Sequence, residues 1–109
     1  MTNEREIPLD RNGYAPSILQ TEEEQQYCFR CGRRGVKLDR HELYGGAYRS
    51  KSKALGLWVT LCHVPCHLGE AHGNPAETLR LRQKGQRAAM KYYGWTPDDF
   101  RARFGKSYV

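Results

Sequence analysis

Two cysteine pairs, Cys28-x2-Cys31 and Cys62-x3-Cys66, use every cysteine in this chain. Each reads as a metal knuckle, a tight turn that aims two thiolates and nearby backbone N–H groups at one point. Four soft thiolates in a tetrahedral arrangement suit Zn2+, in a site that is closed and structural. His63 and His67, inside and just beyond the second pair, are rival ligands, and disulfides are the competing use of the thiols. The staple matters because a chain of 109 residues buries only about two-thirds of its unfolded surface. Leu, Ile, Val and Phe are sparse here, and domains with so thin a core usually recruit a metal or disulfides.

The opening residues, Met1-Thr-Asn-Glu-Arg-Glu-Ile-Pro, contain no apolar core of a secretory signal. The expected setting is therefore cytoplasmic, where metal ligation outranks disulfide formation. The longest apolar run, near Leu55 to Leu61, is too short to span a bilayer, so no membrane partner is expected. A secreted knottin, a membrane protein and a large-core enzyme are excluded on these grounds.

Charge divides the chain. Residues 1–26 carry six acidic and two basic side chains, whereas residues 27–109 carry sixteen basic and six acidic ones, a net +10. A domain so basic favours a polyanion, most commonly nucleic acid, over the plain alternative of a solvated cationic surface. The first 26 residues form an acidic, extended or partly disordered arm, whose charge suits it to folding over the basic remainder.

The remainder, residues 27–109, reads as one α+β domain. Residues 27–35 form the first knuckle loop, and a strand-like stretch from Val36 to Tyr48 is interrupted by Gly45-Gly46. Arg49-Ser-Lys-Ser-Lys53 reads as a flexible basic loop, and Gly56 to Cys62 as the best strand. Asn74, Pro75 and Glu77 mark a helix start, predicting a helix over about 75–92 that stops at Gly94. Thr96, Pro97 and Asp99 start a second helix, over about 97–104. On the first of these helices Arg80, Lys84, Arg87 and Lys91 share one stripe roughly 60° wide, suited to phosphate contact or to snorkelling in solvent.

Three histidines, His41, His67 and His72, lie in segments rich in Gly, Cys or charge, beside Glu42, Glu70 and Asn74. Imidazoles from a strand and a following loop can hold one divalent ion with open positions, as catalysis requires. At this point the chain resembles a family. Leu38-Asp-Arg-His41-Glu42-Leu-Tyr-Gly45-Gly46, Arg49-Ser-Lys-Ser, Gly56-Leu-Trp-Val-Thr-Leu-Cys62, Cys66-His67, His72-Gly-Asn74 and the tail Phe104-Gly-Lys-Ser-Tyr108 are similar to HNH (His-Me finger) endonucleases. The nearest branch is a phage-encoded group similar to RecA-dependent recombination-enhancement nucleases. The resemblance covers residues 27–109, and its specificity lies in the combination and order of the motifs.

The resemblance implies a small ββα-metal core beside a four-cysteine zinc knuckle, with C-terminal helices. It implies a metal-dependent DNA endonuclease of phage recombination or DNA processing, acting in the host cytoplasm on DNA, with a recombinase filament as a further partner. By position, His41, His67 and His72 are the ligands of a catalytic Mg2+, Mn2+ or Zn2+, beside structural Zn2+ on Cys28, Cys31, Cys62 and Cys66. Arg49, Lys51 and Lys53 match a DNA-contacting basic segment, and with Arg80, Lys84, Arg87 and Lys91 they would flank the site. The sequence departs from the family at Glu42, where histidine is the usual general base and glutamate is intrinsically the weaker one. Leu57 stands where the family has Asn, and Asn74 is read as a helix cap or its substitute. Three options follow: Glu42 is the base, His41 is the base with fewer ligands, or the chain is a zinc-stabilised DNA- or protein-binding module with a degenerate HNH site.

Overall fold

A computed structural model describes residues 8–109. Within them lie strand β1 (Leu38–Glu42), helix α1 (Arg49–Ala54), strand β2 (Trp58–Cys62), helix α2 (Pro75–Tyr93) and helix α3 (Pro97–Phe104). Short 3-10 turns occupy Glu24–Gln26 and Gly46–Tyr48, and a π-helical stretch spans His63–Ala71, interrupted at Val64 where the backbone is extended. The protein is thus a small α+β fold on a two-stranded antiparallel sheet. Leu38 pairs with Cys62, His41 with Val59 and Glu42 with Trp58. No helix among the described residues is long and apolar enough to cross a membrane.

All five residues of β2 are buried, which explains its continuous apolar sequence. One edge pairs with β1, and the other is covered by the N-terminal segment. Phe29 N–H donates to the Thr60 carbonyl at 2.8 Å, Ser17 Oγ to the Trp58 carbonyl at 2.7 Å, and Thr60 N–H to Gln20 Oε1 at 2.8 Å. The Trp58 indole donates to the Ala15 carbonyl at 2.8 Å. Every one of these bonds satisfies a backbone or ring group that burial would otherwise leave unpaired.

Of the arm expected over residues 1–26, the described part lies along the rest of the fold. Residues 1–7 lie outside the described residues, while residues 8–26 are extended but packed, with Tyr14, Ala15 and Gln20 buried. Charge contributes as well as hydrogen bonding: Asp10 pairs with Arg40 at 2.9 Å, and Tyr14 lies beneath both Arg40 and Lys53. The basic loop expected at Arg49–Lys53 is instead helix α1. Arg, Lys and Ala are good helix formers, and buried Ser52 ties the helix to the strands by donating to the Leu57 carbonyl at 2.6 Å.

The helix termini follow their cap residues. Asn74 Oδ1 accepts from Ala76 N–H at 3.1 Å, Pro75 takes the first helical position, and Gly94 closes α2 at φ 73°. Thr96 and Asp99 form a reciprocal capping box on α3. Leu81, Gly85, Gln86, Ala89 and Tyr93 form the buried face of α2, leaving Leu79 and Tyr92 exposed.

Gly85 is where α2 packs on Leu43 and Tyr44, just after β1. A Cβ there would stand 2.7 Å from both Leu43 Cδ1 and Tyr44 Oη, and that hydroxyl is fixed by its 2.6 Å bond to the Arg82 carbonyl. Gly85→Ala is expected to destabilise by about 1–3 kcal/mol despite the better helix propensity of alanine. Thermal denaturation should show a Tm lower by about 4–8 °C for each kcal/mol.

Candidate metal centre

Strand alternation sorts the functional side chains. Asp39, His41 and Leu43 occupy one face of the strand line, and Arg40 and Glu42 the other. His41 is buried, and it meets two imidazoles from the π-helical stretch and its end. In a π-helical turn residues five apart are joined by the backbone, and His72 N–H donates to the His67 carbonyl at 3.2 Å. The ring nitrogens Nε2 of His67 and His72 are consequently 3.2 Å apart. Gly73 is required at this turn, since any Cβ would run into the Gly69 carbonyl oxygen. The three ring centres lie 4.8 to 5.3 Å apart, and one donor nitrogen from each falls within 4.8 Å of the others.

Asp39 is the functional residue that motif reading missed. Its Oδ2 lies 2.8 Å from His67 Nδ1 and 2.6 Å from His63 Nδ1. A carboxylate on Nδ1 fixes the tautomer that leaves Nε2 as a lone-pair donor, and it raises the basicity of that donor. The two imidazoles hold the Asp39 carboxyl below its usual range against the burial that raises it. The signal available in the sequence was its position two residues before His41, on the same strand face. Burial, with His67, His72 and Arg82 nearby, pulls His41 down to about 3, so it is a neutral imidazole.

Glu42 projects to the opposite face, toward the N-terminal segment. One carboxylate oxygen accepts a short hydrogen bond from the Tyr14 hydroxyl, and the other accepts from Arg49 Nε at 2.8 Å. Burial and that bond to Glu42 push the Tyr14 phenol up to about 12. The two faces meet at the free edge of β1, where Arg40, His41, Glu42, Arg49, His67 and His72 line a cleft of about 340 Å³.

The four cysteines form a second cluster behind the first, each offering a sulfur within 4.8 Å of the others, and none is in a disulfide. Cys66 and His67 are chain neighbours that project into different clusters. His63 and His67, the rival ligands, are both held by Asp39. Burial pushes the Cys66 thiol up to about 12 and Cys62 upward, whereas backbone N–H groups of Cys31, Cys62 and Arg30 bring Cys28 down to about 7 despite its burial. Arg30 donates to Cys66 Sγ at 3.4 Å and pairs with Glu77 at 2.8 Å, tying the first knuckle to α2. The donor set suits a soft divalent ion in a structural site.

The other predicted residues separate. Asn74 uses its whole amide, accepting from Ala76 and donating to Glu70 at 3.0 Å, so it caps α2, and Leu57 is buried core. Arg49 lines the cleft, but Lys51 donates to the Arg103 carbonyl at 2.7 Å and Lys53 lies over Tyr14. The stripe of Arg80, Lys84, Arg87 and Lys91 is exposed on the outward face of α2. At about 100° per residue it is turned roughly 180° from Arg82, whose charge bears on His41, so it does not flank the histidine cluster.

Comparisons with protein-family models, with curated proteins and with solved structures return no match to this chain. Its own residues define a small α+β protein with a four-cysteine cluster and an adjacent three-histidine cluster, both within metal-binding distance.

Proposed function

We propose that this is a metal-dependent phosphodiester hydrolase. More particularly, it is an HNH-type (His-Me finger, ββα-metal) DNA endonuclease stabilised by zinc on Cys28, Cys31, Cys62 and Cys66. The observation that carries the reading is the convergence of His41, His67 and His72 beside Asp39, at the mouth of a cleft edged by Arg40 and Arg49. Three imidazole nitrogen donors with one side open fit a catalytic divalent ion. Such an ion, when bound, stabilises the charge on the phosphate and on the departing 3′ oxygen.

The chain's own groups supply the rest. Asp39 holds His67 in its ligating tautomer. Arg40 and Arg49 place positive charge where a DNA phosphate would enter. Glu42 is the one carboxylate among the described residues lining the cleft, and it takes the proton from the attacking water. Tyr14 and Arg49 hold that carboxylate in place, so the N-terminal segment is part of the site.

A second reading, a DNA-binding module with a degenerate site, is favoured by one observation. Both oxygens of Glu42 already have partners. Plasmid relaxation with Mg2+ or Mn2+, with and without EDTA, separates the two readings when run beside a gel-shift titration against salt. The expected result is EDTA-sensitive nicking. Salt-sensitive binding with no cleavage under any metal would instead establish the module.

A further inference from the structure

We propose that a second cleft, beside His72, binds one unpaired nucleotide of a DNA strand, with Arg82 and Lys106 on its phosphate and Tyr108 against its base. This cleft has a volume of about 390 Å³ and is lined by His72, Thr78, Leu79, Arg82, Lys106 and Tyr108. That volume lies within the range of small-ligand sites, about 300–1,000 Å³. His72 borders both clefts, so a strand reaching the histidine cluster passes this one.

The wall formed by the C-terminal tail is held rigidly. Gln86 is fully buried, and its amide is given over to the tail: Nε2 donates to Ser107 Oγ at 2.9 Å, and Oε1 accepts from Tyr108 N–H at 2.6 Å. Gln83 adds a bond to the Tyr108 carbonyl at 3.0 Å. These bonds, beside a Gln86 contact to Met90 Sδ at 3.7 Å, hold the backbone of Tyr108, whose ring packs on Tyr44 with centres 5.6 Å apart and still lines the cleft.

The chemistry of the lining selects the ligand. Arg82 and Lys106 lie 5.7 and 5.1 Å from the Tyr108 ring centre, and neither has an acidic partner among the described residues. Two unneutralised cations call for an anion. The Tyr108 ring and Leu79, which is 47% exposed, add an apolar surface that a bare phosphate would not use. A nucleotide carries both features. Its base must be unpaired, because bases inside a duplex already stack on one another and leave no face for a tyrosine.

This inference rests on the nuclease reading only for DNA as the polymer. Its test is fluorescence anisotropy of the zinc-loaded full chain, without added divalent metal, on labelled oligothymidylate and on a blunt-ended duplex of two fully complementary strands. Tyr108→Ala is expected to weaken oligothymidylate binding by about 5- to 150-fold, the loss of one base–aromatic stack. Tyr108→Phe should bind like wild type, and duplex binding should be unchanged in both. Lys106→Gln, at an exposed position that leaves the fold alone, should lower the salt slope on the single strand by about 0.7. The subsite is overturned if the wild type ignores oligothymidylate, if Tyr108→Ala binds as wild type, or if duplex and single strand weaken equally. Tyr108-dependent binding without EDTA-sensitive cleavage leaves the subsite standing and removes the nuclease. Cleavage with Tyr108-independent binding does the reverse.

Discussion

Serine in place of Cys66 is expected to leave the chain unfolded at neutral pH, and a strong chelator should do the same to the wild type. Cys28, Cys62 and Cys66 are each at most 1% exposed, so this cluster is the centre of the structure as much as any apolar residue. It joins three pieces: the loop after the N-terminal segment, the end of β2 and the π-helical stretch. Structural zinc in small domains contributes an apparent ~10–16 kcal/mol to folding. Total stabilities run to about 5–15 kcal/mol, so a chain with this thin a core cannot absorb the loss. Arg30 would sharpen the effect, because its guanidinium faces Cys66 and offsets the charge of a thiolate-bound ion. Metal analysis of protein purified without added zinc should find one zinc per chain. Circular dichroism should then show helix content lost on chelation, and a melting curve indifferent to chelator would refute the structural role.

The second large effect is expected at the histidine cluster. His67→Ala should abolish cleavage while leaving DNA binding and zinc content near wild type, because His67 belongs to the three-histidine cluster and not to the four cysteines. His41→Ala should behave alike. The graded control is Asp39→Asn. It keeps the size of the side chain but weakens the hold on Nδ1 of His67, and should reduce Mn2+ affinity or activity by roughly 10- to 100-fold. Calorimetric titration with Mn2+ reads this without reference to turnover. If Asp39→Asn binds Mn2+ as tightly as the wild type, Asp39 does not position the ligand. If both histidine variants cut DNA normally, the site assignment falls.

What was legible in the sequence was local. The cysteine pairs, the Asn74-Pro75 and Thr96-Pro97 helix starts and the glycine stops act through neighbours a few residues away, so spacing alone reveals them. The three histidines were legible as candidates because they sit outside any apolar face. Helix α1 was not, since Arg49-Ser-Lys-Ser-Lys53 has loop-like polarity and its helix depends on Ser52 reaching the Leu57 carbonyl. The hydrogen bonds of the N-terminal segment were not legible for the same reason. Its polar, aperiodic residues carry no pattern, yet Ser17, Gln20 and Trp58 find partners across some forty positions of chain.

By itself, then, the sequence determined that this protein pairs its four cysteines in two knuckles, begins its last two helices at Pro75 and Pro97, and presents an excess of positive charge from residue 27 onward. Only the tertiary structure decided which side chains share a point in space. The register of β1 on β2 and the π-helical stretch after Cys62 bring Asp39 to His67 and His67 to His72. The alternation of β1 sends neighbouring His41 and Glu42 to opposite faces. The packed face of α2 turns Arg82 toward the histidines and its cationic stripe away from them. The physical reason is common to all of these: a cap or a knuckle depends on local backbone geometry, whereas a site depends on the relative placement of elements distant in sequence, which packing alone sets.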